Sequence, residues 1–192
     1  MPRPSLKSVR TKELLDAFMR CVARFGIEGA TLEKISDEAE MARPMLRHYL
    51  GNRDQMVSKL ITHVLDKFDD MTRDMISDLP ETDRLTALLD QLFEGKYHET
   101  DNAAVFQALV AASDRYSGIR EPLMKFVQKF EKAIAKEVIR EFPNTERVEC
   151  NIAASGISAI YFNTDAITPL GPSRQWRKRQ KQAARALLNG LK

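Results

Sequence analysis

The chain has 192 residues, 43% of them hydrophobic and 30% charged, with a net charge of +3. That balance describes a globular chain long enough for one substantial core, or for a small domain joined to a larger one. It argues against a membrane protein, because no apolar run approaches ~20 residues, and no apolar stretch follows the basic N-terminus to form a secretory signal.

Residues 1–12 carry Arg3, Lys7, Arg10 and Lys12 and no acid. Such an arm attracts phosphates without regard to sequence; otherwise it is a solvated terminus. Leu14, Leu15, Phe18, Val22 and Phe25 stripe a first helix whose end falls at Gly26, with Gly29 reinforcing the loop. Thr31 is placed to cap a short second helix bearing Leu32, Ile35 and Ala39 at helical spacing. Glu40-Met41-Ala42 leaves room only for a sharp change of direction. Pro44 falls in the first turn of a third helix, where its missing N–H costs nothing. Met45, Leu46 and Leu50 are expected to face inward there, and Arg43, Arg47 and His48 outward. The shape is that of a helix-turn-helix, whose second helix enters the major groove of double-stranded DNA. The competing reading is an ordinary helical hairpin with a solvated charged face.

A long fourth helix starts near Arg53, carries Val57, Leu60, Val64, Phe68, Met71 and Met75 as its apolar stripe, and stops before Pro80. Its later part holds Asp66, Asp69, Asp70, Asp74 and Asp78 against Lys67 and Arg73, so that end is expected to point away from DNA. Five more helical segments follow over Leu85–Tyr97, Ala103–Arg115, Pro122–Phe142, Glu146–Asp165 and Ser173–Leu191. The expected class is all-α with about nine helices and no strand-like alternation. Residues 1–52 would form the DNA-binding head, and 53–192 a helical body for effector binding and dimerisation.

Within that body, Ala153 to Ala159 is a run of small residues inside a helix, where close backbone packing offsets the ~1 kcal/mol cost of Gly156. The last helix carries Ala183, Ala184, Leu187, Leu188 and Leu191 as an apolar stripe. Ala153, Gly156, Ile160, Leu187 and Leu191 are therefore expected at a homodimer interface, with packing inside one chain as the alternative. The basic run Arg174, Arg177, Lys178, Arg179, Lys181 and Arg185 reads as a solvated face or a partner for acids on a neighbouring helix. Walls for an unknown small-molecule effector would come from Phe93, Tyr97, Phe106, Tyr116, Phe126, Phe130, Tyr161 and Phe162, with Asp114 and Asp165 near aromatics at helix ends. Plain core packing is the alternative for every one of those rings.

Catalysis finds little support. The chain has no paired Glu-x-x-His, no His-Glu-x-x-His, no Gly-rich phosphate loop and no Gly-x-Ser-x-Gly. Its histidines are His48, His63 and His98, and Cys21 and Cys150 fit no metal spacing and no CxxC. The reading is a non-enzyme without cofactor or metal, cytoplasmic, with reduced thiols.

The run Ala39-Glu40-Met41-Ala42, then Arg47-His48-Tyr49-Leu50, then Arg53-Asp54 and Met56 resembles the DNA-binding domain of the TetR family of bacterial repressors. Departures are Glu40 for the usual turn Gly, Ala42 for a capping Ser or Thr, Arg47 for a frequent aromatic, and Leu50 for Phe. The resemblance implies nine helices, a dimer interface built from the last two helices of each subunit, a palindromic operator, and release by an effector. The opening residues and the stretch from Phe93 to Met124 are similar to the choline-responsive repressors of betaine synthesis. Those have tryptophans in the region aligning with Phe106 to Ala112, whereas the only Trp here is at 176, so choline is not carried over. Arg43, Arg47 and His48, with Pro44 beside them, are expected at base edges. Thr31, Tyr49 and Arg53 are expected at phosphates, and Lys7 and Arg10 add sequence-neutral attraction. Two rivals remain: a DNA-binding regulator controlled by a protein partner, and an all-α interaction or enzyme module whose helix-turn-helix is incidental.

Overall fold

A computed structural model of the chain describes residues 5–94 and 100–191. Among them are nine α-helices and no strand: α1 (Leu6–Gly29), α2 (Leu32–Ala39), α3 (Arg43–Leu50), α4 (Arg53–Ser77), α5 (Arg84–Glu94), α6 (Thr100–Ala112), α7 (Arg120–Glu141), α8 (Arg147–Ile167) and α9 (Arg174–Ala186). Short 3-10 turns lie at Ser117–Ile119 and Thr168–Leu170. No described helix is long and apolar enough to cross a membrane.

Several ends differ from the sequence expectation for local reasons. Gly26 breaks the first helix with φ +68°, as its lack of Cβ allows, but residues 27–29 wind one more turn, so the break is a kink within α1. The sixth helix already includes Asn102, where a loop was expected; Asp101 in its first turn complements the positive end of the helix. The last helix was expected to reach Leu191 and stops at Ala186. Beyond it the N–H groups of Leu187, Leu188, Asn189 and Leu191 each bond the carbonyl three residues back, a tighter winding than the α-helix.

The chain forms two compact units. The first gathers the chain up to Lys67 together with Ala104–Leu123, and the second gathers Phe68–Ala103 and the chain from Met124 onward. In the first, α1 packs on α2 and α3, and Leu14, Phe18, Ile35, Leu46, Leu50 and Leu60 are fully buried. His63 Nε2 on α4 lies 2.7 Å from Asp16 Oδ1 on α1. Cys21 sits in this core, where burial pushes its thiol up against the opposing pull of Arg24.

In the second unit, α5, α8 and α9 pack on one another, burying Leu88, Leu89, Leu92, Phe93, Cys150, Ala154, Ile157 and Ala184. A buried ion pair ties the start of α5 to α7. Arg84 Nε donates to Glu137 Oε2 at 2.7 Å and Nη2 to Oε1 at 2.9 Å. The same guanidinium donates to the carbonyls of Ile76, Leu79 and Pro80, so it also caps the end of α4. Hydrogen bonds from Arg84 hold the Glu137 carboxyl below its usual range despite burial.

Candidate nucleic-acid interface

The head is built around two short helices and the turn between them. Thr31 caps α2 from an extended backbone (φ −73°, ψ 160°), its hydroxyl accepting from the Lys34 N–H at 3.3 Å. At the other end Glu40 adopts the left-handed conformation (φ 52°, ψ 38°), which favours Gly. The cost of a side chain there, ~1–2 kcal/mol, is met by local bonds. Glu40 N–H donates to Asp37 O at 3.2 Å, Met41 N–H to Ser36 O at 3.0 Å, and the Ser36 hydroxyl to the Met41 carbonyl. Ala42 takes the extended N-cap conformation of α3 with no side chain to cap it. The turn is formed without the two residues that usually make it.

α3 buries Leu46 and Leu50 and exposes Arg43, Pro44, Met45, Arg47 and His48. Met45 was expected to face inward; it is 38% exposed. On an eight-residue helix, Leu46 and Leu50 fill the one narrow stripe that meets the core, and Met45 is about 100° round from Leu46.

Arg43 pairs with Glu33 Oε1 of α2 at 2.6 Å, both side chains exposed. The Arg47 side chain has no ion pair or hydrogen bond among the described residues, and it lines a cleft of about 530 Å³ with Leu32, Gly51, Asn52, Arg53 and Met56. The His48 ring meets Tyr49 edge-on at 5.0 Å. Lys59, which the sequence reading did not single out, closes the end of α3 by donating to the Tyr49 carbonyl at 2.9 Å.

The start of α4 is a reciprocal capping box. Gln55 N–H donates to Asn52 Oδ1 and Asn52 N–H to Gln55 Oε1, each at 3.0 Å. Gly51 (φ +89°) precedes it, and a Cβ there would lie 2.0 Å from Gln55 Oε1. Arg53, expected at a phosphate, turns its guanidinium into the head. Nη1 donates to the Ala30 carbonyl at 2.9 Å, Nη2 donates to the Ile27 carbonyl, and the group sits 5.3 Å over the Phe18 ring. On α1, Lys7 is exposed and Arg10 pairs with Glu13 at 2.8 Å.

The residues expected at an effector pocket are divided between the two units. Tyr97 lies outside the described residues. Phe106, Asp114 and Tyr116 belong to the first unit, and Phe93, Phe126, Phe130, Tyr161 and Phe162 to the second. Asp114 is 94% exposed and paired with Arg120, which makes it a surface group. Phe93, Phe126 and Phe130 are buried. Phe130 stacks on Tyr161 at 5.3 Å and meets Phe162 at 5.2 Å. Burial pushes the Tyr161 phenol far up, and the charge of Asp165 adds to that.

Of the residues expected at a dimer interface, two are occupied within the chain. Ala153 is buried, and Gly156 faces its own α9, where a Cβ would lie 2.6 Å from Leu187 Cδ1. Ile160 and Leu191 are half-buried. Leu187 is 40% exposed, and Val148 (64%) and Ile152 (67%) are exposed on α8. The basic run on α9 partly serves acids of α5, since Lys181 Nζ bonds Asp90 and also Glu94 Oε1 at 3.1 Å.

No family model matches the chain. The HTH-type transcriptional regulator BetI of Vibrio vulnificus is 25% identical over 164 residues, covering 83% of this chain and 81% of that protein. A TetR-family transcriptional regulator from Cytophaga hutchinsonii superposes with a TM-score of 0.78 at 11% identity, over 100% of this chain and 98% of that one. A transcriptional regulator from Saccharomonospora viridis, in complex with choline, superposes with a TM-score of 0.76 at 13% identity, over 95% and 97%. The solved structures carry the fold, and the relatives are named as regulators rather than enzymes. With the helix-turn-helix assembled from α2 and α3, the chain is similar in fold to the TetR-family regulators and in sequence to the BetI regulators.

Proposed function

We propose that this regulator represses transcription by placing α3 from each subunit of a homodimer in the major groove of a palindromic operator, and that a small-molecule effector releases it. The observation that carries this reading is the outer surface of α3. It offers Arg43, Pro44, Met45, Arg47 and His48 to solvent, and the Arg47 side chain holds no partner among the described residues. Arg43, Arg47 and His48 reach base edges from that surface, with Pro44 beside them. An exposed pair such as Arg43–Glu33 is worth little, so Arg43 can exchange Glu33 for a guanine. Thr31 and Tyr49 turn toward phosphates, and Lys7 and Arg10 add sequence-neutral attraction. Arg53 acts from behind, through the backbone it braces. Residues 1–52 then serve as the DNA-binding head and 53–192 as the body, and the protein works in the cytoplasm.

The second copy covers the apolar stripe of Val148, Ile152 and Ala159 on α8, together with Leu187 after α9; all four are exposed in the single chain. A two-fold dimer suits two half-sites one helical turn apart. The effector is a small organic cation held by Phe130, Tyr161, Phe162 and Asp165, through charge and cation–π attraction. The choline bound by the Saccharomonospora viridis protein makes choline the first compound to try. Duplexes selected from a random pool test the whole reading by fluorescence anisotropy. Arg47→Ala should lose roughly 5- to 150-fold on the selected duplex for each half-site, the range set by one bidentate base contact, and far less on unrelated DNA. Equal losses on both would remove Arg47 from base reading, and indifference of the complex to choline would remove that effector.

A further inference from the structure

We propose that Met45 is a specificity-determining residue that reads the C5-methyl group of a thymine in each operator half-site. The inference rests on α3 being the recognition helix and adds what its surface selects.

The core-facing direction of α3 is fixed by its two buried residues, Leu46 and Leu50. At about 100° per residue, the point directly opposite falls at His48. Pro44 lies about 40° to one side of that point and Met45 about 60° to the other. Arg47 and Arg43 sit about 100° and 140° away on the Pro44 side. Their surroundings agree: Arg43 is drawn to Glu33 of α2, and Arg47 lines the cleft with Leu32 of α2 and the start of α4. The centre of the outward face is therefore Pro44, Met45 and His48, with both arginines on one flank.

Met45 is also in the first turn of α3, its N–H bonded to the Ala42 carbonyl at 2.8 Å. Recognition helices bring their N-terminal residues to the base edges. An apolar side chain at that place has one counterpart in the major groove. The edges of guanine, cytosine and adenine offer hydrogen-bonding groups, and thymine alone adds a methyl. The unbranched, polarisable thioether chain of methionine adapts to such a contact without a hydrogen bond.

Replacing a thymine by uracil removes that methyl and nothing else, which makes it the probe. The full-length protein is first used to select duplexes from a random pool, and each thymine of the selected sequence is then replaced singly by uracil. Wild-type affinity should fall about four-fold at one thymine per half-site, the size expected for losing the burial of one methyl. Met45→Ala should bind the thymine and uracil duplexes equally, with an unchanged melting temperature because the residue is exposed. A selected sequence without a recurring thymine, or a wild-type protein indifferent to every uracil, overturns the methyl-reading role and leaves α3 as the recognition helix. A uracil penalty that persists in Met45→Ala also overturns it. Failure to select any sequence would sink the recognition-helix reading itself, and this inference with it.

Discussion

Arg53 offers a choice between two roles that one substitution separates. In the family resemblance this basic position at the start of the fourth helix suggests a phosphate ligand. In the structure its guanidinium bonds the carbonyls of Ile27 and Ala30 and lies over Phe18, and all three residues are buried. Those carbonyls sit just past the Gly26 kink, where the helical ladder no longer serves them. Arg53→Ala removes two charge-assisted bonds and a cation–π contact. Hydrogen bonds to charged groups contribute ~1.5–3 kcal/mol each, and water will recover part of that at a half-buried site, so the loss should be about 2–4 kcal/mol. For a chain of this size each kcal/mol moves the melting temperature by roughly 2–4 °C, which predicts a fall of about 4–16 °C by circular dichroism. The salt dependence of DNA binding is the second readout. A phosphate contact contributes about 0.9 to the slope of log affinity against log salt; a brace contributes nothing, and the slope should not change. Arg53→Lys should recover little stability, because a single ammonium cannot span both carbonyls as the planar fork does. An unchanged melting temperature with the slope reduced by about one per subunit would refute the brace and restore the phosphate role.

The turn between α2 and α3 should be open to improvement. Glu40→Gly relieves the left-handed strain and should raise stability by about 0.5–1 kcal/mol after the entropy cost of Gly. Ala42→Ser supplies the missing cap and should add about 1 kcal/mol; chemical denaturation midpoints measure both, and a fall in either would show that the local geometry has been misjudged. Glu137 sets an acid limit. Its carboxyl is depressed in the folded chain by hydrogen bonds from Arg84, so the associated stability is present in full above the unfolded-state value. It is lost as pH falls from about 4.5 through the lower folded-state value. The wild type should therefore lose more of its melting temperature between neutral and acidic pH than Glu137→Gln does, and parallel profiles would contradict the linkage.

What could be seen in the sequence was local. Thr31 as a cap, Pro44 in a first turn, Leu46 and Leu50 four apart, and the Gly26 break each depend on neighbours within one turn, and the structure has them all. Met45 was misassigned because two turns of helix give periodicity too few repeats to set the angle of the apolar stripe. The inward turn of Arg53 was hidden for the opposite reason. Its partners stand 23 and 26 residues earlier, beyond any local signal, and a basic residue at a helix start carries no mark of which way it turns. Asp114 near aromatics in the sequence said nothing of its pairing with Arg120 at the surface.

The small-residue run of α8 taught a related lesson about what a pattern can specify. Ala153, Ala154, Gly156 and Ile157 do mark a close approach of backbones, and Gly156 is tight enough that a Cβ would meet Leu187. A stripe of small side chains states how near a neighbour comes, not whose neighbour it is. Here the neighbour is α9 of the same chain. That packing leaves a strip of α8 outside, running beside Gly156, because Ile152 stands four residues before it and Ala159 three after. Val148, Ile152 and Ala159 remain outside, and Leu187, held against Gly156, is kept beside α8 with its remaining surface open. The close contact inside the subunit and the apolar surface outside it are thus neighbours on one helix. Gly156 positions that surface through Leu187, and Leu187 forms it together with Val148, Ile152 and Ala159.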